Sequence, residues 1–157
     1  MPGYVLRPAD SDDVEFLTDV VVVVTKDQGR WPAELCAPDA EAEWRAGFSD
    51  WTREQLGGDV DGSTTSVVLV DGDRVGRHRV VRAPDHVELA GVQLLPAHQG
   101  RGIGTQVVRD VLAEARDRGV PARISVEQDN PRARALYERL GFTAYGETER
   151  DVLLEAR

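Results

Sequence analysis

The sequence predicts an α/β domain whose elements follow one another in the order β-α-α-β-β-β-α-β-α-β-β. Two kinds of pattern carry this prediction. Short runs of strand-forming residues between turn residues mark about seven strands, and apolar residues at helical spacing mark four helices. The 157 residues, 41% of them hydrophobic, suffice for one sizeable core and contain no linker or repeat. We therefore expect residues 1–157 to form a single domain.

The first third of the chain predicts one short strand and two helices. Residues Tyr4–Arg7 form the strand, and the capping residues Asp10–Asp12 then open a helix. The apolar positions of this helix recur at helical spacing: Val14, Leu17, Val21 and Val24. A loop over residues 27–38 leads to a second helix from about Asp39 to Leu56, which the pair Gly57-Gly58 ends. Its aromatic stripe is interpreted as part of the core: Trp44, Phe48 and Trp51.

The middle of the chain predicts a meander of three strands. Thr64–Val70 and Val75–Arg82 are joined by Asp71-Gly72, which is a strong hairpin turn. A second turn leads to the strand His86–Leu95.

The last third of the chain predicts a strand over Arg123–Val126, then a helix, and then two further strands. That helix is capped by Asn130-Pro131 and ended by Gly141, and its inward positions are Leu136 and Leu140. The final strands are Phe142–Thr148 and Arg150–Glu155.

Residues 92–116 predict a strand, a glycine loop and a helix in immediate succession. The loop carries Gly100, Gly102 and Gly104 at every second position. Glycines allow the backbone to approach a ligand closely, and a helix start adds unpaired N–H groups and the positive end of the helix dipole. We interpret this stretch as an anion site suited to phosphate. A tight turn of small residues is the alternative interpretation.

Two familiar phosphate loops do not fit this stretch. A P-loop requires Gly-Lys-Ser/Thr, whereas Gly104 is followed by Thr105 and the single lysine of the chain is Lys26. A dinucleotide fingerprint requires Gly-x-Gly-x-x-Gly, and the positions of its last glycine hold Thr105 or Val107. The loop therefore belongs to a different class.

The composition of the chain limits the cellular compartments and the classes of partner that we expect. A net charge of −9 argues against a general nucleic-acid binder, which would normally be basic. The five valines Val20–Val24 are far short of the roughly 20 residues of a membrane span. The single cysteine, Cys36, excludes an internal disulfide, and we see no signal peptide. We therefore expect a cytoplasmic protein, and the preference for arginine over lysine hints at a GC-rich bacterial genome.

Two motifs of the chain occur together in one known family. The first is Gln99-Gly100-Arg101-Gly102-Ile103-Gly104, and the second runs from Asn130 to Phe142 with Leu136-Tyr137 and Gly141-Phe142 inside it. With these motifs and its element order, the chain resembles the GNAT acetyltransferase superfamily, most strongly over residues 86–145. The resemblance implies the GNAT fold. In that fold a central mixed, mostly antiparallel sheet of six to seven strands carries helices on both faces, and the fourth and fifth strands splay apart.

The resemblance also implies acetyl-coenzyme A, or a related acyl-CoA, as the donor, and no metal. The backbone amides of the glycine loop would hold the pyrophosphate, and the edge of the fourth strand would pair with the pantetheine amides. Asn130 would bond the pantetheine arm, although it is equally well explained as a helix cap. The positions implied to bind the cosubstrate are Val92, Gln93, Leu94, Gln99, Gly100, Arg101, Gly102, Ile103, Gly104, Thr105, Asn130 and Tyr137. Arg132 and Arg134 are further candidates for phosphate contacts.

Two catalytic roles follow from the same resemblance. Tyr137 stands where the family places the tyrosine that protonates the leaving thiolate, and its alternative is a packed core tyrosine. Glu88 resembles the general base of the histone-acetylating branch, and by strand alternation it would share a face with Ala90, Val92 and Leu94. Glu127, His78, His86 and ordered water are the alternative bases, both histidines being expected as exposed strand residues. The branch that acetylates protein N-termini has a glutamate where this chain has Ser125.

A primary amine of a small molecule is the expected acceptor, held near Gln28, Trp31 and Glu88. An acetyltransferase of protein lysines or N-termini is the second hypothesis, and a non-catalytic acyl-CoA sensor is the third. Because dimers are common in the superfamily, a homodimer is a candidate assembly.

Overall fold

The computed structural model describes residues 3–56 and 62–157, so the predicted helix stop at Gly57-Gly58 lies outside the described residues. Its seven strands are β1 (Val5–Pro8), β2 (Ser63–Val70), β3 (Asp73–Ala83), β4 (His86–Leu94), β5 (Ala122–Glu127), β6 (Thr143–Glu147) and β7 (Asp151–Ala156). Its four α-helices are α1 (Val14–Asp27), α2 (Pro38–Leu56), α3 (Ile103–Asp117) and α4 (Pro131–Arg139). The predicted element order is confirmed.

The seven strands form one sheet in the order β1-β2-β3-β4-β5-β7-β6. The β4–β5 pair is parallel, and every other neighbouring pair of the described strands is antiparallel. The chain reaches the parallel strand through α3, because two parallel strands need a long crossover. The implied mixed, mostly antiparallel sheet is thus confirmed.

Helices cover both faces of the sheet. The apolar stripe of α3 packs into the larger core against Leu89 of β4, Ile124 of β5 and Phe142, the residue before β6. The stripe consists of Ile103, Val107, Val108, Val111 and Ala115. Helix α4 adds Ala133 and Tyr137 to the edge of this core, and Leu140 follows directly after the helix, so Tyr137 takes the inward place that was predicted for Leu136. Helix α1 buries Leu17, Val20 and Val24 on the opposite face and contacts β3, β4 and α2.

An ion pair fixes the start of α1 to the first strand. Asp13 is only 2% exposed and accepts two hydrogen bonds from the Arg7 guanidinium, each 2.9 Å long. Its Oδ2 also accepts from the backbone N–H of Asp10, which completes a capping box with the Asp10 side chain. Hydrogen bonding by Arg7 lowers the pKa of Asp13 to about 2. The ionised carboxylate therefore anchors the helix that forms one wall of the cleft described below.

The aromatic stripe of α2 is not part of the core, and this prediction was wrong. Trp44, Phe48 and Trp51 are half-buried, and Thr52 is the buried residue of the helix. The rings form a ladder, with Trp44 stacked on Phe48 at 5.2 Å between centroids and Phe48 against Trp51 at 5.7 Å. Periodicity correctly placed them on one face, but arginine side chains of β3 lie beneath that face.

Candidate active site

A cleft opens where β4 and β5 separate. The two strands pair at Val87–Ala122, Glu88–Arg123 and Leu89–Ile124, and beyond that point no pairing continues in the described strands. The gap has a volume of about 230 Å³. Its walls are β4 from Leu89 to Gln93, β5 from Ile124 to Glu127, α1 and α4. The splay that the resemblance implied is therefore present, and it leaves one edge of β4 without a strand partner.

A bulge in β4 decides which side chains face which side of the sheet. Val80 pairs with Leu89 and Arg79 pairs with Gly91, so Ala90 is an extra residue. Because paired residues share a face, Glu88 lies on the face of Gly91 and Gln93. The predicted alternation of Glu88 with Val92 and Leu94 was wrong, since an inserted residue reverses the alternation. Glu88 is half-buried and does not line the cleft.

The glycine loop connects β4 to α3 in a conformation that glycine favours. Gly100 has φ +73° and Gly102 has φ +84°, both in the left-handed region. Gly102 is the residue before the first turn of α3 and uses no side-chain cap. The first hydrogen bond of the helix runs from Gln106 N–H to the Gly102 carbonyl at 3.0 Å.

The amides of this loop are available to a ligand. Within residues 3–56 and 62–157, no acceptor receives a hydrogen bond from the backbone N–H groups of residues 100–105. The first turn of α3 contains no acidic residue, so the positive end of its dipole is not neutralised locally. Gln99 positions the loop, because its Nε2 donates to the Leu94 carbonyl at 2.8 Å. The loop can therefore bind an anion such as a phosphate.

Asn130 and Tyr137 line the cleft from the side of α4. Asn130 caps the helix through its Oδ1, which accepts from Ala133 N–H at 3.3 Å. The Tyr137 ring packs edge-on to Phe142, with 6.1 Å between the centroids. Its hydroxyl has no hydrogen-bond partner in the described part of the chain. Burial raises the pKa of the Tyr137 phenol, so the group is protonated at neutral pH.

Arg30 bridges the cleft across its width, a role that no pattern in the sequence indicates. Its guanidinium pairs with Glu127 and with Asp129, the latter at 3.1 Å, and Nη1 donates to Gln28 Oε1 at 2.9 Å. The two ion pairs join the loop after α1 to the end of β5 and the residues after it, where Asp129 lies 99 residues further along the chain. The Glu127 carboxylate is thus engaged with Arg30 and not directed at a substrate, so the geometry disfavours Glu127 as the base.

The two histidines do not occupy the positions predicted for them. His78 is 5% exposed and shares the α3 face of the sheet with its partner Val92. Burial and the neighbouring Arg82 and Arg77 lower the pKa of His78 to about 4. His86 is half-buried at the start of β4, where its Nδ1 lies 2.8 Å from Asp85. Neither is an exposed strand histidine, and neither lines the cleft.

The predicted acceptor residues are divided between two places. Gln28 lines the cleft. Trp31 lies outside it, donating from Nε1 to the Leu35 carbonyl at 3.1 Å and packing edge-on to Trp44. Trp31 therefore extends the aromatic ladder of α2. The structure brings together Gln28, Val92, Gln93, Asn130 and Tyr137 around one cleft, with the glycine loop beyond the end of β4.

The described residues contain neither a metal-binding cluster nor a membrane-spanning helix. No group of three or more histidine, cysteine, aspartate or glutamate side chains is placed to hold a metal ion within residues 3–56 and 62–157. In the same ranges, no helix is both long enough and apolar enough to cross a membrane.

A family model and individual relatives of this chain point to the same protein family. The model of the acetyltransferase (GNAT) family matches residues 27–142, which is most of the chain. A mycothiol acetyltransferase of Corynebacterium efficiens is 36% identical over 128 residues, covering 80% of this chain and 39% of that protein. The N-alpha-acetyltransferase RimI of Mycobacterium tuberculosis is 39% identical over 72 residues, covering 45% of this chain and 44% of that protein. The chain thus spans less than half the length of either relative.

Solved structures support the same fold. The PaiA N-acetyltransferase from Thermoplasma acidophilum, crystallised in complex with coenzyme A, has a TM-score of 0.78 over 99% of both chains. The two sequences are 18% identical, so this likeness concerns the fold alone.

Proposed function

Because the chain belongs to the acetyltransferase (GNAT) family, we propose that it moves an acetyl group from acetyl-CoA to a primary amine of a small molecule. One observation carries the proposal. A loop of unpaired backbone amides follows a strand whose free edge borders a cleft, and Tyr137 lies on the opposite wall of that cleft. This geometry suits a donor with a phosphate end, an amide-containing arm and a reactive end.

The donor would be bound mainly by backbone groups. The amides of residues 100–105 and the N-terminus of α3 would hold the pyrophosphate, with the exposed Arg101 beside them. The free edge of β4 over Val92–Leu94 would pair with the pantetheine amides as an added strand does. The Asn130 side chain would meet the arm from the far wall, since its Oδ1 caps α4 and its Nδ2 is left to donate.

Acetyl transfer would proceed by direct attack. A neutral amine adds to the thioester carbonyl, and a tetrahedral oxyanion forms. A backbone N–H of β4 near Leu94 would stabilise this charge. The intermediate collapses as the C–S bond breaks, and the thiolate takes the proton of the Tyr137 hydroxyl. The proton that the nitrogen loses on becoming an amide returns through solvent to the Tyr137 phenolate, which restores the acid. Because burial raises the pKa of Tyr137, the phenol keeps its proton until the thiolate appears.

The base that removes the proton from the ammonium form of the acceptor is proposed to be Glu88, acting through water. Glu127 is paired with Arg30, and His78 is buried on the other face with its pKa lowered to about 4. Glu88 makes no ion pair within the described residues and lies on the face covered by α1 and α2. Since it does not line the cleft, an ordered water would carry the proton between the amine and the carboxylate.

A small acceptor is supported by the shape of the site. The Arg30 bridge crosses the cleft beside Gln28, which leaves a compact space. The position at which the N-terminus-acetylating branch has its base is Ser125 here. Thiol release from acetyl-CoA with a panel of amines, amino acids, lysine peptides and free peptide N-termini tests the proposal. Turnover on small amines is expected, turnover on peptides alone would favour a protein acceptor, and binding without turnover would favour a sensor.

A further inference from the structure

We propose that the acceptor carries a carboxylate as well as its amine, and that Arg77 of β3 binds this carboxylate. The inference rests on the proposed acetyl transfer and names the substrate class for it. An amino acid, or a molecule with an amino-acid-like end, has the required chemistry.

Arg77 is a buried cation without a carboxylate partner. It is 5% exposed, and no carboxylate of the described residues lies within 4.0 Å of its guanidinium. Its Nε is buried and has no hydrogen-bond partner in the same ranges. Burial and the neighbouring Arg79 lower the pKa of Arg77 to about 10, so it is still charged at neutral pH. An unpaired buried charge is costly, and folding alone gives no reason to keep one.

Other buried or half-buried arginines of this protein do have such partners. Arg7 pairs with Asp13 at 2.9 Å, Arg30 with Asp129 at 3.1 Å and Arg123 with Glu155 at 2.9 Å. Arg79 follows Arg77 on the same face, and it is satisfied by Ser63 Oγ and Gln55 Oε1. Like Arg77, Arg79 has no carboxylate partner, but among the arginines of the described residues only Arg77 combines near-complete burial with an unpartnered Nε.

The guanidinium of Arg77 lies against the wall of the cleft. It extends over Gly91 so closely that an ideal Cβ at that position would collide with Nη1. Nη1 donates to the Oε1 of Gln93 at 3.0 Å. Gly91 and Gln93 both line the cleft. Gln93 Oε1 is thus a neutral oxygen in the place where a carboxylate oxygen of a bound acceptor would accept from Arg77. Rotation of the Gln93 side chain would free Nη1 for that carboxylate.

The aromatic ladder of α2 holds the cation in place and keeps water away. Phe48 lies 5.4 Å and Trp51 6.0 Å from the guanidinium carbon of Arg77. Rings at this distance stabilise a cation without neutralising it. A carboxylate entering from the cleft would meet a desolvated guanidinium, where a charge-assisted pair is strongest.

The test uses acceptors in matched pairs that differ only in the carboxylate, namely amino acids and the corresponding amino-acid amides. For each pair, kcat/KM for the acid is divided by kcat/KM for the amide, which gives an acid-to-amide ratio. Because the amine pKa also differs within a pair, this ratio is compared between wild type and variant and is not interpreted alone. Arg77→Met should reduce the acid-to-amide ratio by about 10- to 100-fold, as expected for one charge-assisted hydrogen-bond pair. Arg53→Met is the matched control, because Arg53 is 60% exposed on α2.

Gln93→Glu provides a second variant. It would give Arg77 an internal carboxylate, so it should also lower the acid-to-amide ratio while raising the melting temperature. Arg77→Met should leave the melting temperature unchanged or raise it, since it removes an unpaired buried charge. A purely structural arginine would instead give a large drop in melting temperature, and that result would overturn the proposal.

The remaining outcomes separate this inference from the proposed function. Turnover with equal ratios in wild type and Arg77→Met would overturn the carboxylate site and leave small-amine acetylation standing. An equal loss of both members of each pair would also overturn it. If acetyl-CoA binds and no amine is acetylated, the proposed function fails. In that case, calorimetry on the CoA-loaded protein compares the binding of N-acetyl amino acids with the binding of their amides. The anion site stands if the acids bind more tightly than the amides and if Arg77→Met removes this difference. It is overturned if no such difference exists or if the variant keeps it.

Discussion

Replacing Tyr137 by phenylalanine removes one hydroxyl and little else. The ring keeps its edge-on contact with Phe142, and the hydroxyl has no hydrogen-bond partner among the described residues that the change would leave unpaired. The free energy of unfolding should therefore change by less than about 0.5 kcal/mol. Any large effect of the substitution must come from the reaction and not from the fold.

The expected loss of turnover can be estimated from the role of a general acid. Such groups contribute roughly 10²- to 10⁴-fold, which corresponds to about 2.7–5.4 kcal/mol of barrier. A thiol has a pKa near 8.5, so a thiolate leaves without protonation more easily than an alkoxide would. We therefore expect the lower end of this range, about a 100-fold fall in kcat. The dissociation constant of acetyl-CoA should stay within about twofold, since backbone groups supply most of the proposed contacts.

The assay is thiol release across pH, with calorimetry for acetyl-CoA binding. Since burial raises the pKa of Tyr137, the wild-type enzyme should keep its acid protonated up to high pH and lose turnover only above about pH 10. That alkaline limb should be absent from Tyr137→Phe. The control is Tyr145→Phe, because Tyr145 is 51% exposed on β6 and does not line the cleft. Equal turnover of Tyr137→Phe and wild type would refute the assignment of the acid.

Three further predictions concern the base, the glycine loop and the anchor of α1. Glu88→Gln should lower kcat/KM most at low pH, where the acceptor amine is protonated, and a pH-independent effect would contradict a base role. Gly102→Ala and Gly119→Ala both place alanine at positive φ, so each should lower the free energy of unfolding by about 1 kcal/mol. Only Gly102→Ala, at the start of α3, should weaken CoA binding, by tenfold or more in calorimetry. Asp13→Asn should lower the free energy of unfolding by about 2 kcal/mol at pH 7. Because the pKa of Asp13 is lowered from 3.8 to about 2, this difference should be complete above pH 4 and should vanish in urea titrations as the pH falls through 2.

The sequence predicted the features that depend on neighbouring residues. Strand alternation, helical spacing and the cap at Asn130 are local signals, and the structure confirms the elements they marked. The glycine loop belongs to the same class, because its conformation follows from the need for positive φ at Gly100 and Gly102.

The features that the sequence did not predict depend on distant partners. The bulge at Ala90 exists only relative to the register of β3, so simple alternation along β4 placed Glu88 on the wrong face. The Arg30 bridge joins residues 99 positions apart, and no local pattern marks it. Helical spacing grouped the α2 aromatics correctly, but it could not show that Arg77 and Arg79 would lie under them. His78 is buried because its strand face lies on the side that packs against α3.

The central claim is that the unpaired amides of residues 100–105 bind the pyrophosphate of coenzyme A. Calorimetric titration of the wild-type protein with coenzyme A and, separately, with pantetheine tests it most directly, because pantetheine keeps the arm and lacks the phosphates. We predict that pantetheine binds at least about 100-fold more weakly, as the loss of several charge-assisted hydrogen bonds requires. Equal affinity for the two ligands would contradict the assignment of the loop.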